Sequence, residues 1–76
     1  MKKVYLADMR KRLQAIMNYD QADKAFEALL FGWNKHRGAS GACLDSLKRR
    51  GCMSTRLAKE FADYVGYPID EEPQNA

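Results

Sequence analysis

The single histidine and the two cysteines of this 76-residue sequence, His36, Cys43 and Cys52, are residue types that often act as nucleophile, base or metal ligand. A structural metal site commonly needs four ligands at short spacings, and neither a CxxC nor an HxxxH pair occurs. Cysteine catalysis needs a base beside the thiol, and the one histidine lies in a polar connecting segment. We therefore predict no enzyme activity, metal, cofactor or small-molecule substrate, and we predict that Cys43 is a small core residue.

Positive charge is concentrated in the middle of the chain, although the formal net charge is only +3. Residues 35–59 contain seven basic residues and one acid, whereas residues 60–76 contain five acids and no base. A basic segment of this kind is typical of a surface that contacts nucleic-acid phosphates. The candidate nucleic-acid-binding residues are Lys35, Arg37, Ser40, Lys48, Arg49, Arg50 and Arg56. The alternative is a solvated helix face on which the cations complement a helix dipole.

Aromatic side chains form a second candidate surface. The candidate protein-interface residues are Phe31, Trp33, Tyr64 and Tyr67. Phe31 lies beside the apolar stripe of its predicted helix rather than on it, and an exposed aromatic there would indicate a partner surface or a homodimer interface. The alternative is that these rings are partly buried under the C-terminal tail.

Helices must position both sets of residues, because apolar residues recur throughout the chain at three- and four-residue steps. The first predicted helix covers residues 4–17, and the second is capped by Asp20 and carries its apolar stripe as far as Trp33. A loop over 34–39 separates it from a third helix over 40–50, and the fourth covers 54–65. No segment alternates with period two, so we expect no sheet.

The ends of the last two helices carry the residues that commonly begin and end helices. Ser40 and Ser54 are predicted N-caps, and Gly51 and Gly66 are predicted C-terminal glycines. The whole chain is predicted to be all-α, a compact bundle of four short helices in a single domain over residues 1–69. Ile69 is expected to anchor the end of this domain, and residues 70–76 are expected to form an acidic mobile tail.

The N-terminal residues do not resemble an export signal, because charged residues interrupt the apolar run that follows Met1-Lys2-Lys3. We therefore expect a cytoplasmic protein with both thiols free. No apolar run approaches the roughly 18 to 20 residues that cross a bilayer, so no membrane partner is expected.

The second half of the chain carries an ordered set of helix-forming signals. Gly38-Ala39-Ser40 precedes an aliphatic residue, Leu44, and a closing glycine, Gly51. A segment of the form S-x-x-L-x-x-x-h-A-x-x-h-G follows, where h is apolar, and it consists of Ser54, Leu57, Phe61, Ala62, Val65 and Gly66. On these residues the second half of the chain resembles Cro-type and lambda-repressor-like helix-turn-helix domains.

The resemblance implies duplex DNA as the partner and the helix over 40–50 as the recognition helix. Asn34 stands where that family commonly has alanine, four residues before the glycine of the turn. A second register makes 41–50 the supporting helix and 54–65 the recognition helix. That register directs Glu60 and Asp63 toward phosphates, which is electrostatically unfavourable, so the first register is preferred.

Two functions are consistent with these patterns. The first is a small DNA-binding transcriptional regulator of phage or mobile-element type, which would act as a homodimer because a single small domain reads few base pairs. The alternative is a small helical inhibitor or adaptor that binds a larger protein through its aromatic residues.

Overall fold

A short antiparallel strand pair connects the beginning of the chain to the segment between its last two helices. The computed structural model describes residues 2–17 and 19–72. The elements are β1 (Lys3–Tyr5), α1 (Leu6–Ile16), α2 (Tyr19–His36), α3 (Gly41–Arg50), β2 (Cys52–Ser54) and α4 (Thr55–Val65). The prediction of a mainly helical bundle with four helices is confirmed.

The expectation that no sheet is present was wrong. Strand β1 pairs with β2, with Val4 opposite Met53 and Tyr5 opposite Cys52. Each strand has only three residues, which is too short to show a period-two pattern in the sequence. The sheet also takes the residues predicted to begin the first helix, so α1 begins at Leu6.

The core lies where α1, α2 and α4 meet. Each helix contributes the apolar stripe that its periodicity predicts, including Met9, Leu13, Phe26, Leu30, Trp33 and Phe61, all 3% exposed or less. The Phe61 ring packs edge-on against Phe26 with ring centroids 5.7 Å apart, and it lies 5.2 Å from the Trp33 ring. Ile69 is fully buried, so its prediction as an anchor is confirmed, and its carbonyl accepts a hydrogen bond from Arg12 Nη1 at 3.1 Å.

The predicted end of the second helix is corrected by the structure. Helix α2 continues through Asn34, Lys35 and His36, which were expected to belong to a loop. The predicted side-chain cap by Asp20 and the last residues of the predicted tail lie outside what the structure describes.

The predicted helix caps of the second half are confirmed. Ser40 Oγ accepts a hydrogen bond from the Cys43 backbone N–H, and Ser54 Oγ accepts one from that of Leu57. Gly51 and Gly66 have φ values of 72° and 92°, the left-handed conformation that glycine adopts without a steric cost. None of the helices in residues 2–17 and 19–72 has the length and apolarity needed to cross a membrane.

Candidate nucleic-acid interface

An open groove with three arginines on its walls lies beside α3. We call it the arginine groove, and its lining residues are Asn34, Arg37, Ala42, Cys43, Ser46, Leu47, Arg49, Arg50 and Leu57. Three of these side chains are cationic, and none of the described side chains that line the groove is acidic. The structure thus brings three of the seven predicted nucleic-acid-binding residues to one place.

Helix α3 presents most of its surface to solvent. Of its ten residues only Leu44 and Leu47 are buried, and both face α2 and the core. Arg49 and Arg50 are exposed in its last turn. Cations in that position are favoured by the negative end of the helix dipole, and neither arginine forms an ion pair with a side chain that the structure describes.

Arg37 enters the groove from the end of α2. Its backbone N–H donates to the Trp33 carbonyl at 3.0 Å, and its guanidinium carbon lies 4.8 Å from the centroid of the Trp33 ring. A guanidinium group on the face of an indole ring is held by a cation–π attraction and retains hydrogen-bond donors at its edge. Arg37 is therefore oriented by its own helix rather than by an acid.

Lys48 belongs to a different side of α3. Its Nζ lies 3.2 Å from Glu27 Oε2, and Arg10 Nη2 lies 3.3 Å from Glu27 Oε1. Glu27 thus bridges a cation of α1 and a cation of α3 across α2. The prediction that Lys48 acts together with Arg49 and Arg50 is corrected, because successive residues of a helix point in directions about 100° apart and Lys48 pairs with Glu27 outside the groove.

Arg56 lies in a second groove of mixed charge. Its lining residues are Trp33, His36, Arg37, Ser54, Arg56, Leu57, Glu60, Asp63 and Tyr64. Arg37 and Leu57 border both grooves, so the two are neighbours on the surface. In this second groove two arginines are balanced by two carboxylates, which makes it a poorer site for phosphates than the arginine groove.

The remaining two candidates, Lys35 and Ser40, line neither groove. Lys35 is exposed, and its carbonyl accepts the Gly38 N–H at 3.0 Å. The Ser40 hydroxyl accepts from the Cys43 N–H at 3.3 Å and donates to Cys43 Sγ at 3.4 Å. Since both bonds are made within the cap of α3, the structure assigns Ser40 to the helix rather than to a ligand.

Cys43 is exposed and lines the arginine groove, which corrects its prediction as a core residue. Its pKa is lowered chiefly by the side-chain hydrogen bond from Ser40 and then by a backbone hydrogen bond at Ser40; desolvation opposes these effects, and the charge of Arg37 lowers the pKa least. Its helical position could not have indicated this, because Cys43 lies four residues before the buried Leu47 and periodicity places the two on one face of the helix. Cys52 is a buried free thiol.

Of the four residues predicted to form an aromatic interface, one is buried and three are exposed. Trp33 is only 3% exposed and belongs to the core, so its prediction as a surface residue was wrong. Phe31, Tyr64 and Tyr67 are exposed, at 61%, 41% and 45%. Tyr64 lies across α2, where its hydroxyl is 2.8 Å from the position that a Cβ on Gly32 would occupy, and its ring centroid is 5.6 Å from that of His36.

Comparison of the chain with models of protein families, with curated proteins and with solved structures gives no match. The resemblance to Cro-type helix-turn-helix domains therefore stays a prediction. Within the described residues, no group of three or more histidine, cysteine or acidic side chains is arranged to hold a metal ion. The function must be inferred from the charges and shapes of the surface.

Proposed function

We propose that this protein is a small DNA-binding regulator of the phage or mobile-element type and that it holds duplex DNA at the arginine groove. The observation that carries the proposal is the presence of Arg37, Arg49 and Arg50 in one groove whose described walls carry no acid. Guanidinium groups bind phosphates through paired N–H donors, and unpaired cations on a surface release counterions when they neutralise phosphates.

Helix α3 is the element that would approach the duplex. It is held to the protein by two leucines, and its remaining residues face solvent or the groove. This supports the first of the two helix-turn-helix registers, in which the helix over 40–50 contacts DNA. The second register, in which α4 would contact DNA, is less favourable because Glu60 and Asp63 lie beside Arg56 on the exposed face of that helix.

Three phosphate contacts make a weak site. On the counterion-release rule, three contacts give a slope of about −2.7 for the logarithm of the binding constant against the logarithm of the salt concentration. We therefore propose that two copies bind adjacent half-sites, which doubles the number of contacts and supplies specificity. Sedimentation of the protein alone and with duplex DNA tests this part of the proposal.

Fluorescence anisotropy of a labelled random-sequence duplex, titrated with protein at 50 mM and 200 mM salt, tests the proposed function. Arg49→Glu/Arg50→Glu should abolish binding at both salt concentrations. The matched control is Lys11→Glu/Lys24→Glu, which changes the net charge equally at two exposed lysines outside the arginine groove. Equal losses in the two variants would show that net charge alone governs binding, and no binding by the wild-type chain would reject the proposal.

A second function, binding to a larger protein, is favoured by one specific observation. Phe31 is the most exposed of the large apolar side chains that the structure describes, and Tyr64 lies over the adjacent Gly32. Exposed aromatic residues are enriched at protein interfaces. If the wild-type chain binds no duplex at 50 mM salt but retains a protein partner on affinity purification, and Phe31→Ser releases that partner, this second function replaces the first.

A further inference from the structure

One buried amide side chain, that of Asn34, holds the loop between α2 and α3. Asn34 is 6% exposed and is the one polar or charged residue that is buried in the described part of the chain. Its Nδ2 donates to the carbonyl of Ala39 at 3.3 Å and to that of Ser40 at 3.1 Å. Its own backbone carbonyl accepts the Ala39 N–H at 3.0 Å. Asn34 therefore binds Ala39 at both its N–H and its C=O.

The backbone of the loop is arranged to receive this side chain. Gly38 has a φ of 76°, and its N–H donates to the Lys35 carbonyl at 3.0 Å. Together with the bond from Ala39 to Asn34, this forms a Schellman motif at the end of α2. The motif satisfies carbonyls of α2 but does not bind the residues that begin the next helix. The Asn34 amide makes that connection, because Ser40 is the N-cap of α3.

We infer that Asn34 is a positioning residue of the arginine groove, an inference that rests on the proposed function. Arg37 follows the last residue of α2, whereas Arg49 and Arg50 lie on α3, and residues 37–40 link the two helices. A buried polar group whose hydrogen bonds join two segments favours one arrangement of those segments. The Asn34 amide, which itself lines the groove, thereby holds Arg37 on one wall while α3 presents Arg49 and Arg50 on the other.

The two side-chain hydrogen bonds account for an asparagine at this position. An alanine four residues before the turn glycine would let the two helices approach but would leave the Ala39 carbonyl without the bond that Asn34 supplies. Leucine has the same branched arrangement of side-chain heavy atoms as asparagine, although it is larger, and it has no hydrogen-bond donor. Asn34→Leu therefore removes the two bonds while it keeps the space filled.

The test compares Asn34→Leu with Leu29→Ala, a half-buried residue of the same helix that lines neither groove. The first measurement is hydrogen exchange at the Ala39 amide by NMR, which needs no ligand. The second is the salt dependence of binding to a labelled random-sequence duplex. Asn34→Leu should speed exchange at Ala39, weaken binding about eightfold near 0.1 M salt and reduce the salt slope by about one, the loss of one phosphate contact.

Leu29→Ala should lower thermal stability while it leaves both the Ala39 exchange and the salt slope as in the wild type. In an Arg37→Ala background, Asn34→Leu should cause no further loss of affinity, because the contact that it positions is already gone. Equal losses in the two backgrounds, an unchanged salt slope or unchanged exchange at Ala39 would overturn the inference. A wild-type chain that binds no duplex rejects the proposed function, and exchange at Ala39 then still decides whether Asn34 holds the loop.

Discussion

The guanidinium carbon of Arg37 lies 4.8 Å from the centroid of the Trp33 ring, and Trp33 is the only tryptophan in the chain. The indole is buried among core residues on one side and covered by a groove arginine on the other. Its fluorescence therefore reports on the arginine groove without any added label.

Arg37→Ala should change the Trp33 emission and weaken duplex binding about eightfold near 0.1 M salt, because one phosphate contact is lost. The free energy of unfolding should fall by only about 0.5–1 kcal/mol, the range of an exposed cation–π pair. Tryptophan emission, thermal unfolding and anisotropy measure the three effects. An unchanged affinity together with an altered emission would remove Arg37 from the interface.

Glu27→Gln breaks both ion pairs of Glu27, those with Arg10 and Lys48. The side chains are 37–47% exposed, so the free energy of unfolding should fall by less than about 1 kcal/mol. Because Lys48 lies outside the arginine groove, the salt slope of duplex binding should stay at the wild-type value, whereas one added phosphate contact would steepen it by about 0.9. Urea unfolding and anisotropy check the two outcomes. A steeper slope that Lys48→Gln then reverses would return Lys48 to the interface.

Gly32→Ala should stabilise α2 by about 0.5–1 kcal/mol, since alanine has the higher helix propensity. The new Cβ would lie 2.8 Å from the Tyr64 hydroxyl, and this exposed side chain can rotate away. In a Tyr64→Phe background the clash disappears, so the gain should be larger. Thermal unfolding of the four proteins measures the difference, and a loss of stability in both backgrounds would contradict the prediction.

The Cys43 thiol should react with iodoacetamide at a lower pH than an ordinary cysteine, because its lowered pKa means that the thiolate forms at lower pH. Ser40→Gly removes the hydroxyl that donates to the sulfur, at a cost of only a few tenths of a kcal/mol to the helix cap. The pH midpoint of alkylation should then move upward. Cys43→Ser serves as the control and leaves only the slow reaction of the buried Cys52. An identical midpoint in wild type and Ser40→Gly would refute the assigned cause.

Ile69→Ala should lower the free energy of unfolding by about 2–5 kcal/mol, as a fully buried isoleucine leaves a cavity when truncated. A domain of this size has roughly 4–11 kcal/mol in total, so this substitution should remove a large fraction of the stability. The control is Tyr67→Ala, two residues earlier and exposed, which should change stability much less. Urea unfolding distinguishes them, and equal losses would mean that Ile69 is not the anchor of this segment.

The helices and most of their boundaries could be predicted because their signals are local. An apolar stripe, a serine and a glycine lie within one helix or next to it, as at Ser40 and Gly51. The partner of Lys48 could not be predicted in this way, since Glu27 is on another helix and the packing of the two decides whether they meet. The side of α3 that faces solvent depends on the same packing, which is why Cys43 and Lys48 were both misplaced.

The aromatic residues show in the same way that a local pattern predicts the face of a helix but not what that face contacts. Trp33 and Phe31 are two residues apart on one helix, and their periodicity correctly placed Trp33 on the stripe and Phe31 beside it. The prediction that both residues belong to an interface was wrong for Trp33, because a residue on the apolar stripe of a helix is normally buried in the core of its own protein. The two strands could not be predicted from the sequence, because three residues are too few to show an alternation of apolar and polar residues. Their pairing also joins segments that lie far apart in the chain.

That pairing also sets the order in which the protein can fold. Val4 and Met53 are 49 positions apart (53 − 4), and bringing them together carries an entropic penalty of roughly 3 kcal/mol before any bond forms. The hairpin of α1 and α2 is local by comparison and should form in advance of it. We therefore expect the pairing of the N-terminal strand to be the last step of folding. A chain that lacks its first five residues should form the helical hairpin of α1 and α2 but should not pack β2 and the ends of its neighbouring helices fully.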